Sequence, residues 1–190
     1  MESQKKFPVT YSFELFPPQT PEGIEKLRLT CNRLAQYHPK FFSVTFGAGG
    51  STRERTLETV LEMKAKGYVV APHLSCIGST RNNILEILEK YHQTGIQHIV
   101  ALRGDLPSGM AQAGEFRYAS ELVAFIRQEF GDWFHIDVAA YPEYHPQARS
   151  AQADFENFRR KIAAGANSAI TQYFYNADAY YHFVESCELA

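Results

Sequence analysis

Ile99-Val-Ala-Leu-Arg-Gly-Asp-Leu-Pro107 opens with four apolar residues and then breaks into a guanidinium, a glycine and a carboxylate. An apolar run of this length, closed by Gly104 and Pro107, reads as an interior parallel strand whose polar groups emerge only at its C-terminal end. Without a Cβ at Gly104, Arg103 and Asp105 can diverge, and both a backbone N–H and a carboxylate can face a ligand above the strand. A plain Arg–Asp surface pair in a turn is the competing reading.

Working outward, extended apolar runs begin near Tyr11, Phe42, Val69, His98, Ile136 and Ala169, at intervals of 31, 27, 29, 38 and 33 residues. Between them lie helical spacings: Ile24, Leu27, Cys31 and Leu34; Leu57, Val60 and Leu61; Ile84, Ile87, Leu88 and Tyr91; Leu122, Phe125 and Ile126. Strand and helix alternating at this period define successive βα units and a parallel sheet. The punctuation agrees: Thr20-Pro21-Glu22 starts a helix, Gly67 and Gly95 stop the second and third, and Ser150 caps a fifth that Gly165 ends. Tyr180, Phe183, Val184 and Cys187 begin a sixth.

Such a series fits an open doubly wound sheet or part of an eightfold barrel. No G-x-G-x-x-G or G-x-x-x-x-G-K-[ST] follows the first strand, where Glu14-Leu-Phe-Pro-Pro18 stands instead. Polar residues recur at the strand ends, namely Glu14, Thr45, His73, Arg103 with Asp105, Tyr141 and Gln172, and barrel enzymes build their sites from such positions. The expected class is therefore an α/β barrel of TIM type, in one domain over residues 1–190 with no linker dividing it.

Composition narrows the function. Hydrophobic residues make up 45%, aromatics 14% and charged residues 21%, as in an ordinary globular protein. Nineteen basic residues stand against 21 acidic ones, a net charge of −2 with no basic stripe, which argues against nucleic acid and anionic membrane as partners. No apolar segment follows Lys5 and Lys6, and no run is long enough to span a bilayer, so a cytoplasmic location is expected. Cys31, Cys76 and Cys187 lack metal or disulfide spacing and are expected as buried thiols. His73 and His145, with Glu143 and Asp105, lack helical ligand spacing, so no metal is expected.

Two positions suggest chemistry directly. Glu14 is flanked in sequence by Phe13, Leu15 and Phe16, and desolvation by these neighbours would favour the neutral carboxyl of a general acid. On the fifth helix Phe155, Phe158 and Ile162 form one stripe, while Asp154, Asn157 and Lys161 form another that can hold ribose hydroxyls and a phosphate or simply face solvent.

With these segments assembled, the chain resembles the methylenetetrahydrofolate reductase family, bacterial type. The matching stretches are Ser12-Phe-Glu-Leu-Phe-Pro-Pro18, Ser43-Val-Thr-Phe-Gly47, Ala71-Pro-His-Leu74, His98 to Pro107, Ala139-Ala-Tyr-Pro-Glu143 with His145-Pro146, Ser150-Ala-Gln-Ala-Asp154 and Ile170-Thr-Gln-Tyr-Phe174. The resemblance implies a flavin-bearing TIM barrel. In it NADH or NADPH reduces FAD, and FAD reduces 5,10-methylenetetrahydrofolate to 5-methyltetrahydrofolate in one-carbon metabolism and methionine supply. It implies that Glu14 is the acid opening the folate ring, that Asp105 stabilises the resulting iminium beside the flavin, and that Gln172 bonds the pterin. It also implies FAD contacts at Thr45, His73, Arg103, Gly104, Asp105, Tyr118, Ala119, Tyr141, His145, Ala148, Asp154, Asn157 and Lys161.

The family has eight βα units and this chain six, so a truncated barrel is expected, joined to other copies through open strand edges as a homo-oligomer. A non-catalytic flavin-binding or assembly fragment is the alternative. A cofactor-free aldolase or lyase would want a strand-end lysine, and none is found.

Overall fold

The structure, a computed structural model, describes residues 8–46, 50–105 and 114–190. The N-terminal stretch 1–7 and the motif positions Gly47, Leu106 and Pro107 lie outside the described residues. The chain divides into two compact units, 1–73 and 74–190, with β3 running through the boundary.

In the first unit the elements are β1 (Ser12–Leu15), α1 (Pro21–Leu34), a 3₁₀ turn (Ala35–Tyr37), β2 (Phe41–Val44), α2 (Gly50–Ala65) and the start of β3 (Val70–Ser75). β1 pairs in parallel with β2, Ser12 opposite Phe41, and β2 in parallel with β3, Phe42 opposite Val70. Thr20 caps α1 by accepting from Gly23 N–H at 3.1 Å, and Pro21 opens its first turn, as the spacing predicts. Phe42, Val44, Val60, Met63 and Ala71 are buried between strands and helices. Arg28 on α1 donates two hydrogen bonds to Glu62 on α2, at 2.7 and 3.1 Å, and Lys66 adds an ion pair at 2.8 Å. Those cations hold the Glu62 carboxyl at about 2, well below the usual carboxylate range.

The second unit continues with the end of β3, then α3 (Arg81–Gln93), β4 (His98–Leu102), α4 (Ala119–Phe130), β5 (His135–Ala140), α5 (Ala151–Ala163), β6 (Ser168–Thr171) and α6 (Ala177–Leu189). β4 pairs in parallel with β5, and β5 with β6. At the end of β3, Cys76 N–H donates to Leu102 O at 3.2 Å and Ile77 N–H to Arg103 O at 2.8 Å. Within each unit the described strands follow one another in chain order, without the reversal that creates the ligand crevice of a doubly wound sheet. The expected interior strand is present: Ile99, Val100 and Ala101 are buried, with Ile136 and Val138 beside them and Leu122 and Ile126 of α4 over them.

Burial fades toward the last unit of the repeat. The stripes on α3 and α4 are buried as expected, whereas α5 and α6 contain no fully buried residue and β6 is half exposed. The expected stripe on α5 meets α6, where Phe183 lies edge-on to Phe155 and Phe158 at 6.1 and 5.1 Å, but Ile162 is 41% exposed. Cys31 and Cys76 are buried thiols, and burial pushes the Cys76 thiol up to about 12. Cys187 corrects the expectation: it is exposed, because α6 lacks a covering layer over that turn.

Candidate functional site

The Arg103-Gly104-Asp105 break comes directly after β4, and Gly104 adopts φ +81°, a left-handed conformation that side chains disfavour. A Cβ there would overlap Ser75 Oγ, which donates to Arg103 O at 3.0 Å. Glycine is thus required both by the dihedral and by the close approach of β3.

Above this turn opens a cleft of about 710 Å³. The C-terminal ends of β4 and β5, the first turn of α4 and the inward face of α5 enclose it. Arg103, Gly104, Asp105, Tyr118, Ala119, Tyr141, His145, Ala148, Asp154, Asn157 and Lys161 all line it. These are eleven of the thirteen positions expected to contact a cofactor, brought together from four segments of the chain. Thr45 and His73 belong to the first unit.

Each side chain is held by local structure. Arg103 donates to Gln147 Oε1 at 2.5 Å and to Gly104 O at 3.1 Å. Tyr118 precedes α4, where Glu121 accepts from its N–H at 3.3 Å, so the N–H groups of Ala119 and Ser120 begin a helix at the cleft wall. Ser150 caps α5 by accepting from Ala153 N–H at 3.1 Å, and Asp154 in the first turn accepts from His145 N–H at 2.9 Å. The Tyr141 and His145 rings meet edge-to-face at 4.7 Å. Burial raises the Tyr141 hydroxyl above its usual range, helped by Asp154 and Asp105 and opposed by Arg103.

Lys161 is a strongly perturbed cation of the cleft. Its Nζ donates to Ala139 O, and burial lowers its ammonium to about 8 although Asp154 pulls the other way. The cleft therefore combines Arg103, Arg149, Arg160 and Lys161 with the carboxylates of Asp105, Asp154 and Glu156. Such a set suits a polar, partly anionic ligand with hydroxyl groups.

Sequence reasoning missed Gln147, Arg149, Ser120 and Arg160. Gln147 and Arg149 stand in the loop between β5 and α5, the kind of strand-to-helix loop that carries ligand contacts in barrels, and Arg160 follows Asn157 by one helical turn.

Glu14 is where the sequence expectation needs correction. Its side chain is 54% exposed, and its sequence neighbours do not surround it. Successive strand residues point to opposite faces, so Leu15 is buried and Phe13 packs on Phe42 and Tyr37, while Phe16 beyond the strand is 74% exposed. The nearby polar group is His73, whose Nε2 lies 3.7 Å from Glu14 Oε2; β3 continues two residues past that histidine. Gln172 follows β6, is exposed, and donates its N–H to Ala140 O at 2.7 Å while its Oε1 accepts from Tyr173 N–H at 3.1 Å. No described helix is long and apolar enough to cross a membrane.

These features define a parallel α/β protein with a polar ligand cleft at the C-terminal ends of its strands. The chain belongs to the methylenetetrahydrofolate reductase family, whose model matches residues 1–190. It is 47% identical over 180 residues to proteins named 5,10-methylenetetrahydrofolate reductase from Pectobacterium carotovorum subsp. carotovorum and Escherichia coli K12, covering 94% of this chain and 59% and 60% of those proteins. It is 40% identical over 191 residues to Methylenetetrahydrofolate reductase (NADH) 1 of Arabidopsis thaliana, covering 93% of this chain and 32% of that one. The chain thus spans about 60% of the length of the bacterial relatives it matches. Among solved structures, an uncharacterized protein from Clostridium thermocellum that binds two copies of 5-methyl-5,6,7,8-tetrahydrofolic acid shares the fold, with TM-score 0.61 at 14% identity, over 96% of this chain and 61% of that one.

Proposed function

We propose that the chain carries the flavin-binding and catalytic residues of an FAD-dependent methylenetetrahydrofolate reductase, reducing 5,10-methylenetetrahydrofolate to 5-methyltetrahydrofolate. In this reading its six βα units are part of an eightfold barrel forming one domain. The protein works in the cytoplasm as a homo-oligomer, on a small reduced folate. The observation that carries the reading is the convergence of eleven expected cofactor positions on one cleft.

The residues present fit a flavin dinucleotide. The cleft volume lies within the roughly 300–1,000 Å³ of ordinary ligand sites. Arg103, Lys161 and the α4 N-terminus suit a diphosphate, and Asp154 and Asn157 suit ribose and ribitol hydroxyls. When bound, FAD supplies the hydride relay between nicotinamide and folate. NADH is favoured as donor because the Arabidopsis relative is named for it.

The protein's own residues manage proton and charge. Glu14 delivers a proton to folate nitrogen to open the five-membered ring, and His73 at 3.7 Å orients its carboxyl group. Asp105 stabilises the iminium cation electrostatically, while Arg103 offsets the cost of holding an anion there. Gln172 supplies hydrogen bonds to the pterin.

Titration of the purified protein with FAD, followed by quenching of flavin fluorescence, tests the reading. Saturable binding is expected, weakened roughly 10- to 100-fold by Lys161→Met, since a hydrogen bond to a charged group contributes about 1.5–3 kcal/mol. Absence of FAD binding, or equal binding by the variant, would overturn it.

A further inference from the structure

At the end of the strands opposite the cleft, three groups with metal-ligand chemistry converge. His98 and His135 are the first residues of β4 and β5 and stand opposite each other in the parallel register; Asp137 is two residues further along β5 on the same face as His135. His98 Nε2 lies 2.7 Å from Asp137 Oδ2, and His135 Nε2 lies 3.3 Å from Asp137 Oδ1. One ligand atom from each of the three residues falls within 4.8 Å of the others.

We propose that His98, His135 and Asp137 form a binding site for a divalent transition-metal ion, zinc by ligand chemistry, that clips the N-terminal ends of β4 and β5 together. Two imidazoles and one carboxylate are three of the four ligands a tetrahedral zinc site takes, with water as the fourth. Bonds of about 2.0–2.1 Å put neighbouring ligand atoms of such a site about 3.3 Å apart. His98 and His135 approach different oxygens of Asp137, the second pair already at that spacing and the first about half an ångström inside it, and the remaining adjustment falls to His135, whose side chain is 47% exposed. That exposure also gives an ion its path from solvent.

The anchor is well made. The Asp137 side chain is only 5% exposed, in a position that an isolated carboxylate would avoid. Contacts with His98 and Ser168 hold its two oxygens in place. Ser168, first residue of β6, donates to Asp137 Oδ1 and lies 2.7 Å from His135 Nε2, so a third strand supplies the outer partner that orients a ligating carboxylate. At this end of the strands the ion would be structural, away from the chemistry at the C-terminal ends. His135 and Asp137 are two positions apart on one strand, but His98 is 39 positions from Asp137, and only the strand register brings the third ligand to the pair.

The test is titration of the chelator-stripped protein with Zn²⁺ in competition with a chromophoric chelator, repeated with Co²⁺ as a spectroscopic probe. One equivalent of zinc, a zinc-dependent rise in melting temperature and tetrahedral cobalt bands in the visible are expected. His135→Ala, at a half-exposed position, keeps the melting temperature of the metal-free parent but binds at least 100-fold more weakly, and Ser168→Ala weakens binding about 10-fold. Parent protein that gains no stability from zinc, or a His135→Ala variant that binds like the parent, would overturn the proposal, in which case the cluster is a hydrogen-bond network only. FAD binding does not enter either readout, so this outcome is independent of the proposed reductase activity.

Discussion

Lys161 is expensive where it stands, and its cost sets a pH dependence. The folded chain holds its ammonium at about 8 against an ordinary 10.5, so between those values the unfolded chain binds more protons and folding becomes more favourable as pH rises. Above pH 10 the raised Tyr141 hydroxyl acts in the opposite sense, because the unfolded tyrosine ionises first. Urea unfolding of the ligand-free protein should therefore show stability climbing from pH 8 to pH 9, a climb that Lys161→Met removes; above pH 9 the buried Cys76 thiol, held up to about 12, opposes it because the unfolded thiol ionises first. Glu14 makes a different kind of prediction. In a full-length enzyme of this family carrying these residues, Glu14→Gln should leave flavin reduction by nicotinamide intact and slow folate reduction about 10²-fold or more, as measured by rapid mixing of the two half-reactions. Equal loss in both halves would return Glu14 to a strand-end carboxylate. The sequence located that carboxylate but misjudged its surroundings, because neighbours along a strand are on the other face; what adjoins it is a histidine 59 residues away, visible only in the fold.

At the level of elements, α5 illustrates how far periodicity reaches. Its two stripes were legible in sequence, and the structure turns one toward the cleft and the other toward α6. What periodicity could not supply is depth: the same three-and-four spacing gives full burial on α3 and half burial on α5, since depth depends on what lies across from the helix. Amide hydrogen exchange should follow depth rather than pattern, with β4 and β5 most protected and β6 and α6 least. Phe183→Ala removes ring contacts to both Phe155 and Phe158 and should cost about 2 kcal/mol, read as faster exchange confined to α5 and α6. Uniformly faster exchange across β4 would contradict that localisation.

Across the second unit as a whole, a single guanidinium joins several segments. Arg127, on α4, donates to Gly131 O and Phe134 O ahead of β5, to Gly165 O after α5, and to Asn167 Oδ1 before β6. Asn167 Oδ1 in turn accepts from Ile136 N–H at 2.8 Å, so the network reaches the backbone of β5. Burial lowers the Arg127 guanidinium, and Arg127→Met, keeping the apolar stem, should still cost about 3 kcal/mol in chemical denaturation because several half-buried acceptors lose their donor. Arg127→Lys should recover little, since an ammonium cannot span that fork. Nothing in the sequence marks Arg127; repeat length and turn signals define the βα units but not the polar bonds that join one unit to the next.

The register itself has a consequence for how the chain is made. Ser12 pairs with Phe41, Phe42 with Val70, His98 with His135 and Asp137 with Ser168. Each of these strands meets a partner synthesised about thirty residues earlier, so loop closure costs nearly the same at every step and none of these pairings waits for a distant C-terminal segment. A polypeptide emerging from the ribosome can therefore lay down these strands one after another, each docking on an edge already in place, and assembly keeps pace with translation.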